Sequence, residues 1–411
     1  MQPALKIYEM ALAQGDKGNL HVTLYSPPER ARLKGIVLLV HQYGENADRY
    51  RIFAKEALVP AGYALMVPDL PGCGQSWGAP GQCQLEEALE ALELCQDLLA
   101  QQTRELPRFL FGHGTGALMA LEYLLTRPAS QSFYHAVLIS SPYLRQRREP
   151  SDLRFKLWDL LAKVLPSRTC RLRLPADCLT DDRRVLMDRE QDNYVHDRCS
   201  CGLRVRLHEL GARLAQEAPG LPLPLLMMYG GAEQWLSLPS LRDFARQLPE
   251  YMNSIEWPHF LFDLHNMQDR RSYFDTVIEY LELCLQRGLQ VIPQAREAAV
   301  EQLPADAVGE PEEAFAEGSE AGPEQGTEGA EELEELGAAA GSFEAIAADD
   351  ALDAYLDGAA GEEPEEDEGQ EEAAVPEYLA EGTQEEDELF PSDWARRHAG
   401  DSELSAEDSH G

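Results

Sequence analysis

Residues 108–116, Arg-Phe-Leu-Phe-Gly-His-Gly-Thr-Gly, run a short apolar segment into a turn of small residues, and an apolar helix-forming segment follows at once. A strand, a sharp turn and a helix in that order are the setting of the nucleophile elbow G-x-S-x-G, whose central side chain attacks an acyl carbonyl. The central residue of Gly112-His113-Gly114-Thr115-Gly116 is Gly114, which has no side chain to attack with. A glycine-rich turn after a strand is common in structure alone, so the neighbouring segments must decide. Two of them close apolar runs in a related way: His41-Gln42-Tyr43-Gly44-Glu45-Asn46-Ala47-Asp48-Arg49-Tyr50 and Pro68-Asp69-Leu70-Pro71-Gly72-Cys73-Gly74-Gln75-Ser76.

The elements that must position these turns follow from hydrophobic pattern. Strands are expected at 20–25, 35–40, 64–68, 108–111, 135–140, 223–229 and 254–257, and helices at 51–61, 84–102, 115–126, 239–248 and 270–286. Runs such as GIVLLV and LPLLMMY are apolar on both faces, as strands between two helix layers should be. Alternating strands and helices predict an α/β fold with a mostly parallel sheet. Between residues 144 and 220 the rhythm stops, and helical stretches at 153–165 and 203–216 read as a cap inserted between two core strands. Insertions of this kind sit over the site at the C-terminal sheet edge.

Together the three turn motifs resemble those of the monoacylglycerol lipase and lysophospholipase branch of the α/β-hydrolases, the serine aminopeptidase S33 type. That family carries H-G-x-G-E-x-x-x-R-Y, P-D-x-x-G-H-G-x-S and G-H-S-x-G at the corresponding places. The resemblance runs through the cap and Tyr229-Gly230-Gly231-Ala232-Glu233 to the last helix, over residues 5–287. It implies an α/β-hydrolase fold with an eight-stranded sheet. It also implies that the nucleophile position is Gly114, the acid position Glu233 and the base position Phe262, the last fixed by counting from both Pro258 and Asn266. A glutamate can stand for aspartate in such triads. The oxyanion region maps to Gln42 and Thr115, with His41, Tyr43 and His113 beside the pocket. Gln42 replaces the family's glycine and is expected to project into the space of a substrate carbonyl, while backbone donors at Thr115 and Gln42 need no particular side chain.

Other groups are weighed as substitutes. His259 and His265 flank Phe262 by three residues each and are possible bases, against the plainer reading of surface or capping histidines. Thr115 is next to the apex, but its side chain should point away. Cys73 and the strand-end hydroxyls of Ser140 and Ser141 read as structural, since nucleophilic catalysis needs a base beside the nucleophile. Losing nucleophile or base costs on the order of 10⁶ in turnover in a serine hydrolase. Glycine at a strained apex relieves about 1–3 kcal/mol, and Phe262 would fill the imidazole space.

The formal charge of −38 is unevenly placed: residues 291–411 hold 38 acidic residues and 3 arginines, leaving residues 1–290 near neutral. Two parts are therefore expected, a hydrolase-fold domain over 1–290 and an acidic low-complexity tail over 291–411 whose composition predicts disorder. Three islands interrupt the tail at 345–356, 377–381 and 389–397, the last combining Leu389, Phe390 and Trp394 with Arg396 and Arg397. A surface this acidic would repel nucleic acid. The eight cysteines fit no zinc pattern, and Cys199-Ser200-Cys201 is too tight for a simple paired metal site. No cofactor or metal is expected. The first residues lack a signal-peptide core and no apolar run approaches a membrane span, so a reduced, cytoplasmic protein is expected.

Three functions compete on this sequence. One is a non-catalytic homologue that binds a small apolar or acyl ligand, or a protein partner, with the tail as a flexible docking arm. The second is a weak or repurposed carboxylic-ester hydrolase. The third is an interaction protein that works through its tail.

Overall fold

In the computed structural model, residues 5–287 are described except 29–32, 104, 173, 217, 219, 250 and 251. The three tail islands lie outside the described residues. Ten strands are present among them: β1 (Lys6–Ala13), β2 (Asn19–Ser26), β3 (Gly35–Val40), β4 (Tyr63–Pro68), β5 (Arg108–His113), β6 (Ala136–Ser140), β7 (Thr169–Arg171), β8 (Arg198–Ser200), β9 (Leu225–Gly230) and β10 (Asn253–Trp257). Eight form one sheet in the order β1-β2-β4-β3-β5-β6-β9-β10. β1 and β2 pair antiparallel, as do β2 and β4, and every other neighbour in the sheet is parallel.

The strand sequences explain the layering. In β3, Ile36, Leu38 and Val40 enter one apolar cluster while Val37 and Leu39 enter the other, and β4, β5, β6 and β9 divide in the same way. Side chains alternate across a strand, so a strand apolar at every position is stable only with cover on both faces. One face is covered by α3 (Leu85–Gln102), α4 (Thr115–Thr126), α8 (Cys201–Gln216) and α9 (Leu238–Gln247). The other carries the helical stretch formed by α1 (Arg51–Phe53), a π-helical turn (Ala54–Leu58) and α2 (Val59–Ala61), together with α10 (Arg271–Arg287). A short helix α5 (Pro128–Gln131) follows α4.

The chain between β6 and β9 holds α6 (Asp152–Val164), α7 (Arg183–Gln191) and α8. It also contains the antiparallel ribbon β7–β8, which the expected all-helical cap lacked. Three-residue strands carry too little pattern to be read from sequence; pairing creates them. Strand β1 was likewise absent from the expected elements. Its KIYEMALA is rich in helix formers, and only the ladder to β2 holds it extended.

The loop after β4 is fixed by Asp69. Its carboxylate accepts from the backbone N–H groups of Ala47 (2.8 Å) and Gln75 (2.9 Å), and its Oδ2 lies 3.1 Å from His21 Nδ1. Burial pulls the His21 pKa down, but the hydrogen bond and attraction of Asp69 outweigh it and hold the value above 6.5. Burial raises Asp69, yet His21, His41 and the two backbone donors bring it below 3.8. The histidine contribution is complete below its unfolded value and fades as pH rises through the folded one. The aspartate contribution is complete above its unfolded value and fades in acid. The ion pair therefore stabilises most between pH 3.8 and 6.5. Asp69→Asn is expected to destabilise the fold by about 1 kcal/mol more at pH 5 than at pH 9, as read by urea unfolding; an equal loss at both would remove the ion pair from the account.

Candidate active site

β5 ends at His113 and α4 starts at Thr115, so the whole change of direction falls on Gly114, with φ 58° and ψ −120°. Its N–H donates to Ser140 O (2.9 Å) and its carbonyl accepts from Tyr143 N (3.1 Å), which pins the turn to the end of β6. This backbone conformation is strained for any residue with a Cβ. The space is also taken. A Cβ on Gly114 would overlap Gln42 Oε1 and lie 2.8 Å from Phe262 Cζ.

Gln42 is buried and its Oε1 accepts a 2.8 Å hydrogen bond from Thr115 N. A backbone N–H can only donate, so the carboxamide presents its carbonyl oxygen. Thr115 N, expected to serve as an oxyanion donor, is therefore already engaged. The neighbouring donors are engaged as well. Tyr43 N donates to Thr115 Oγ1 (2.8 Å), and Gln42 N, expected to face the site, donates instead to Tyr50 OH (3.3 Å). The Thr115 hydroxyl is thus buried and committed to the backbone.

Glu233 follows β9 in a tight loop and is buried. Its Oε1 accepts from Trp235 N (2.7 Å) and Leu236 N (3.1 Å), while Oε2 has no hydrogen-bond partner. Burial raises its pKa above the ordinary 4.5, and the backbone donors only partly oppose this. At the base position Phe262 is wholly buried, with its ring 5.4 Å from Trp235 and 4.8 Å from His113. The backbone there is held from two sides. Phe262 N donates to Cys178 O (3.2 Å), and Ser141 Oγ donates to Phe262 O (2.7 Å). Ser141 itself has φ 44°, a rare value for a residue with a side chain. Between the elbow and the acid there is an aromatic ring and no imidazole.

The candidate substitutes are not brought to the apex. His259 is solvent-exposed on the turn after β10. His265 is buried, stacked on Tyr50 with ring centroids 4.8 Å apart, and its Nε2 accepts from Asn266 Nδ2 (3.1 Å). Burial, together with repulsion from His113, lowers its pKa to about 3, so it is neutral and weakly basic. Cys73 Sγ accepts from Gly44 N (3.4 Å), and burial pushes its thiol well up. The residues expected to line a pocket are packed inside the fold instead. His41 bridges Gln42 O (2.8 Å) and Leu70 N (3.0 Å), and Tyr43 OH donates to Pro71 O (3.1 Å). The His113 Nε2 lies 3.1 Å from Asp263 Oδ1.

His113 belongs to a buried charged cluster that sequence reasoning did not assemble. Asp263 also meets Arg49 Nη2 at 3.5 Å, Arg49 Nε lies 4.0 Å from Glu45, and Tyr50 OH donates to Glu45 Oε2 (2.9 Å). Burial alone would raise Asp263, but His113, His265 and Arg49 hold it far below the usual carboxylate range. Burial, reinforced by the Asp263 charge, raises Glu45. The i,i+4 spacing of Glu45 and Arg49 was visible in the sequence; Asp263, over two hundred residues away, gave no signal.

A mostly parallel eight-stranded sheet between two helix layers, with an elbow after β5, an acid after β9 and an insertion between β6 and β9, defines an α/β-hydrolase fold. Residues 31–266 match the family described as serine aminopeptidase, S33, which is more than half of the chain. The chain belongs to that family, and within it is an α/β-hydrolase of the monoacylglycerol lipase type. It is similar to the monoacylglycerol lipase of Mycolicibacterium smegmatis, 25% identical over 251 residues that cover 60% of this chain and 88% of that protein. An uncharacterized abhydrolase domain-containing protein of Dictyostelium discoideum is 22% identical over 275 residues, 66% of this chain. The match spans only 28% of the Dictyostelium protein. Among solved structures, monoacylglycerol lipase of Paleococcus ferrophilus superposes with a TM-score of 0.57 at 26% identity, over 64% of this chain and 99% of that one. A soluble variant of the Saccharomyces cerevisiae monoglyceride lipase gives 0.59 at 17% identity over 69% and 96%, which shows the shared fold. Among the described residues no helix is long and apolar enough to cross a membrane.

Gly114→Ser is expected to destabilise the domain by about 2–4 kcal/mol, the sum of backbone strain and displacement of the Gln42 hydrogen bond. In a Gln42→Gly background the same change should cost at least about 1 kcal/mol less, because the overlap with Gln42 is gone while the approach to Phe262 is common to both backgrounds. A double-mutant cycle by denaturant unfolding measures this; simple additivity would mean that Gln42 and position 114 do not compete for one space.

Proposed function

We propose that this chain is a non-catalytic α/β-hydrolase, a scaffold that has kept the fold of an acyl hydrolase without its chemistry. The observation that carries the reading is the Gln42 carbonyl oxygen on Thr115 N–H, directly over a glycine apex. Acyl transfer needs a nucleophile, a base and open donors for the developing oxyanion. Here the first is a hydrogen atom, the second is the Phe262 ring, and the donors are satisfied internally.

In this reading the remaining role is binding, of a small apolar or acyl-bearing ligand by the 1–290 domain or of a protein partner. The acidic 291–411 segment would be an extended arm attracting basic surfaces in a salt-dependent way. Six of the eight cysteines are buried, and the same reading places the protein in a reducing, cytoplasmic setting.

A second reading is ester hydrolysis. The family and the lipases to which the chain is similar favour it more directly than they favour an inert scaffold, and the buried Glu233 remains at the acid position. Turnover separates the two. The purified protein is expected to hydrolyse neither a short-chain p-nitrophenyl ester nor a monoacylglycerol above buffer, and to resist a fluorophosphonate probe. The triple variant Gln42→Gly, Gly114→Ser, Phe262→His should gain probe labelling. Wild-type turnover that disappears in His265→Ala would establish the hydrolase reading and end the first.

A further inference from the structure

The cap ribbon gathers three thiols on one face. Cys170 pairs with Cys199 in the register of β7 and β8, and the flanking bonds Cys201 N to Arg168 O (2.8 Å) and Leu172 N to Asp197 O (2.6 Å) continue it. Positions 168, 170 and 172 therefore share a face with 201, 199 and 197. Cys199 and Cys201 are buried, whereas Cys170 is partly exposed at the ribbon surface. Cys201 lies one ladder position along from Cys199 on the face that carries Cys170, and its interaction with Cys170, with burial, raises its pKa. On the other side of Cys170 stands a cation: Arg204 Nη1 is 3.7 Å from Cys170 Sγ. Arg204 is held there by its bond to Arg171 O and by the Trp158 ring, 3.7 Å from the guanidinium carbon.

We propose that Cys170 and Cys201 form an oxidation site, converted by a hydroperoxide into a disulfide that ties β7 to the start of α8. A partly exposed thiol beside a fixed positive charge, with a second thiol near it on the same face, is the arrangement in which peroxide oxidation ends in a disulfide. The chemistry balances. Cys170 thiolate attacks one peroxide oxygen, an S–O bond forms as the O–O bond breaks, and with hydrogen peroxide the leaving hydroxide takes a proton as water. The Cys201 sulfur then attacks the sulfenic sulfur. The S–S bond forms, the S–O bond breaks, and hydroxide leaves as a second water with the Cys201 proton. Two thiols lose two electrons and the peroxide accepts them.

The loop so closed contains the segment that lies against the active-site region. Its Cys178 and Leu179 carbonyls accept from Phe262 N and Asp263 N, its Val185 carbonyl accepts from Arg49, its Asp192 carboxylate accepts from Asn46 Nδ2 (2.7 Å), and His196 N donates to Gly44 O (2.9 Å). Oxidation would fasten this strap at both ends without touching the elbow.

The test is peptide mapping of the full-length protein after treatment with one equivalent of hydrogen peroxide and alkylation in denaturant. Titratable thiols should fall from eight to six, with one non-reduced peptide joining Cys170 to Cys201. Cys170→Ser should keep all seven of its thiols, and Cys201→Ser should leave a dimedone-reactive Cys170. Amide exchange across residues 178–196 should slow in the oxidised wild type. A link from Cys170 to Cys199, a sulfinate at Cys170 with Cys201 still free, or eight unchanged thiols would each overturn the assignment. The wild-type map decides the matter even if a serine variant fails to fold.

Discussion

The Gln42 carboxamide lies over a turn that only a glycine fills without strain, and its oxygen satisfies the first N–H of α4. An orphan N–H at a buried helix start costs on the order of 1–3 kcal/mol unless something accepts from it. In an acyl hydrolase that acceptor is water or substrate. Here it is a side chain supplied by the loop after β3, and the other features of the site fit around that choice. Gly114 leaves the room, Phe262 closes the far side against Trp235, and Thr115 turns its hydroxyl to Tyr43 N. Gln42 brings in a polar group whose oxygen is satisfied, and Phe262 places an apolar ring at the expected base position.

Below the elbow the opposite holds: ionisable groups are kept in buried positions. Glu45, Arg49, His113 and Asp263 are held together with Tyr50 and His265, and the segment 178–192 of the cap contributes backbone carbonyls to Arg49, Phe262 and Asp263. Breaking one partner of such a cluster leaves an uncompensated buried charge, a loss of about 3–5 kcal/mol. The cluster thus ties the loop after β3, the end of β5, the loop after β10 and the cap into one unit. The residues that hold these loops together are distinct from Gly114 and Phe262, at the expected nucleophile and base positions.

The core strands were legible because burial on both faces demands unbroken apolar runs, and GIVLLV and LLMMYG have them. α4 was legible because three glycines around residue 114 stand between an apolar strand and an apolar helix. β1 and the β7–β8 ribbon were not, since their extended state comes from a ladder to distant residues and not from their own composition. The site divides in the same way. That Gly114 lacks a side chain is a fact of sequence. That Gln42 N points to Tyr50, that His41, Tyr43 and His113 are packed within the fold, and that His259 is exposed while His265 is sealed, required coordinates.

What the sequence by itself determined is the set of atoms available to react, because covalent structure is local: no hydroxyl at 114 and no imidazole at 262. Only the tertiary structure decided which of the remaining groups meet. Hydrogen bonds and ion pairs act over a few ångströms, and the residues that share the Thr115 N–H or the Asp263 carboxylate are separated by 73 and up to 214 positions along the chain.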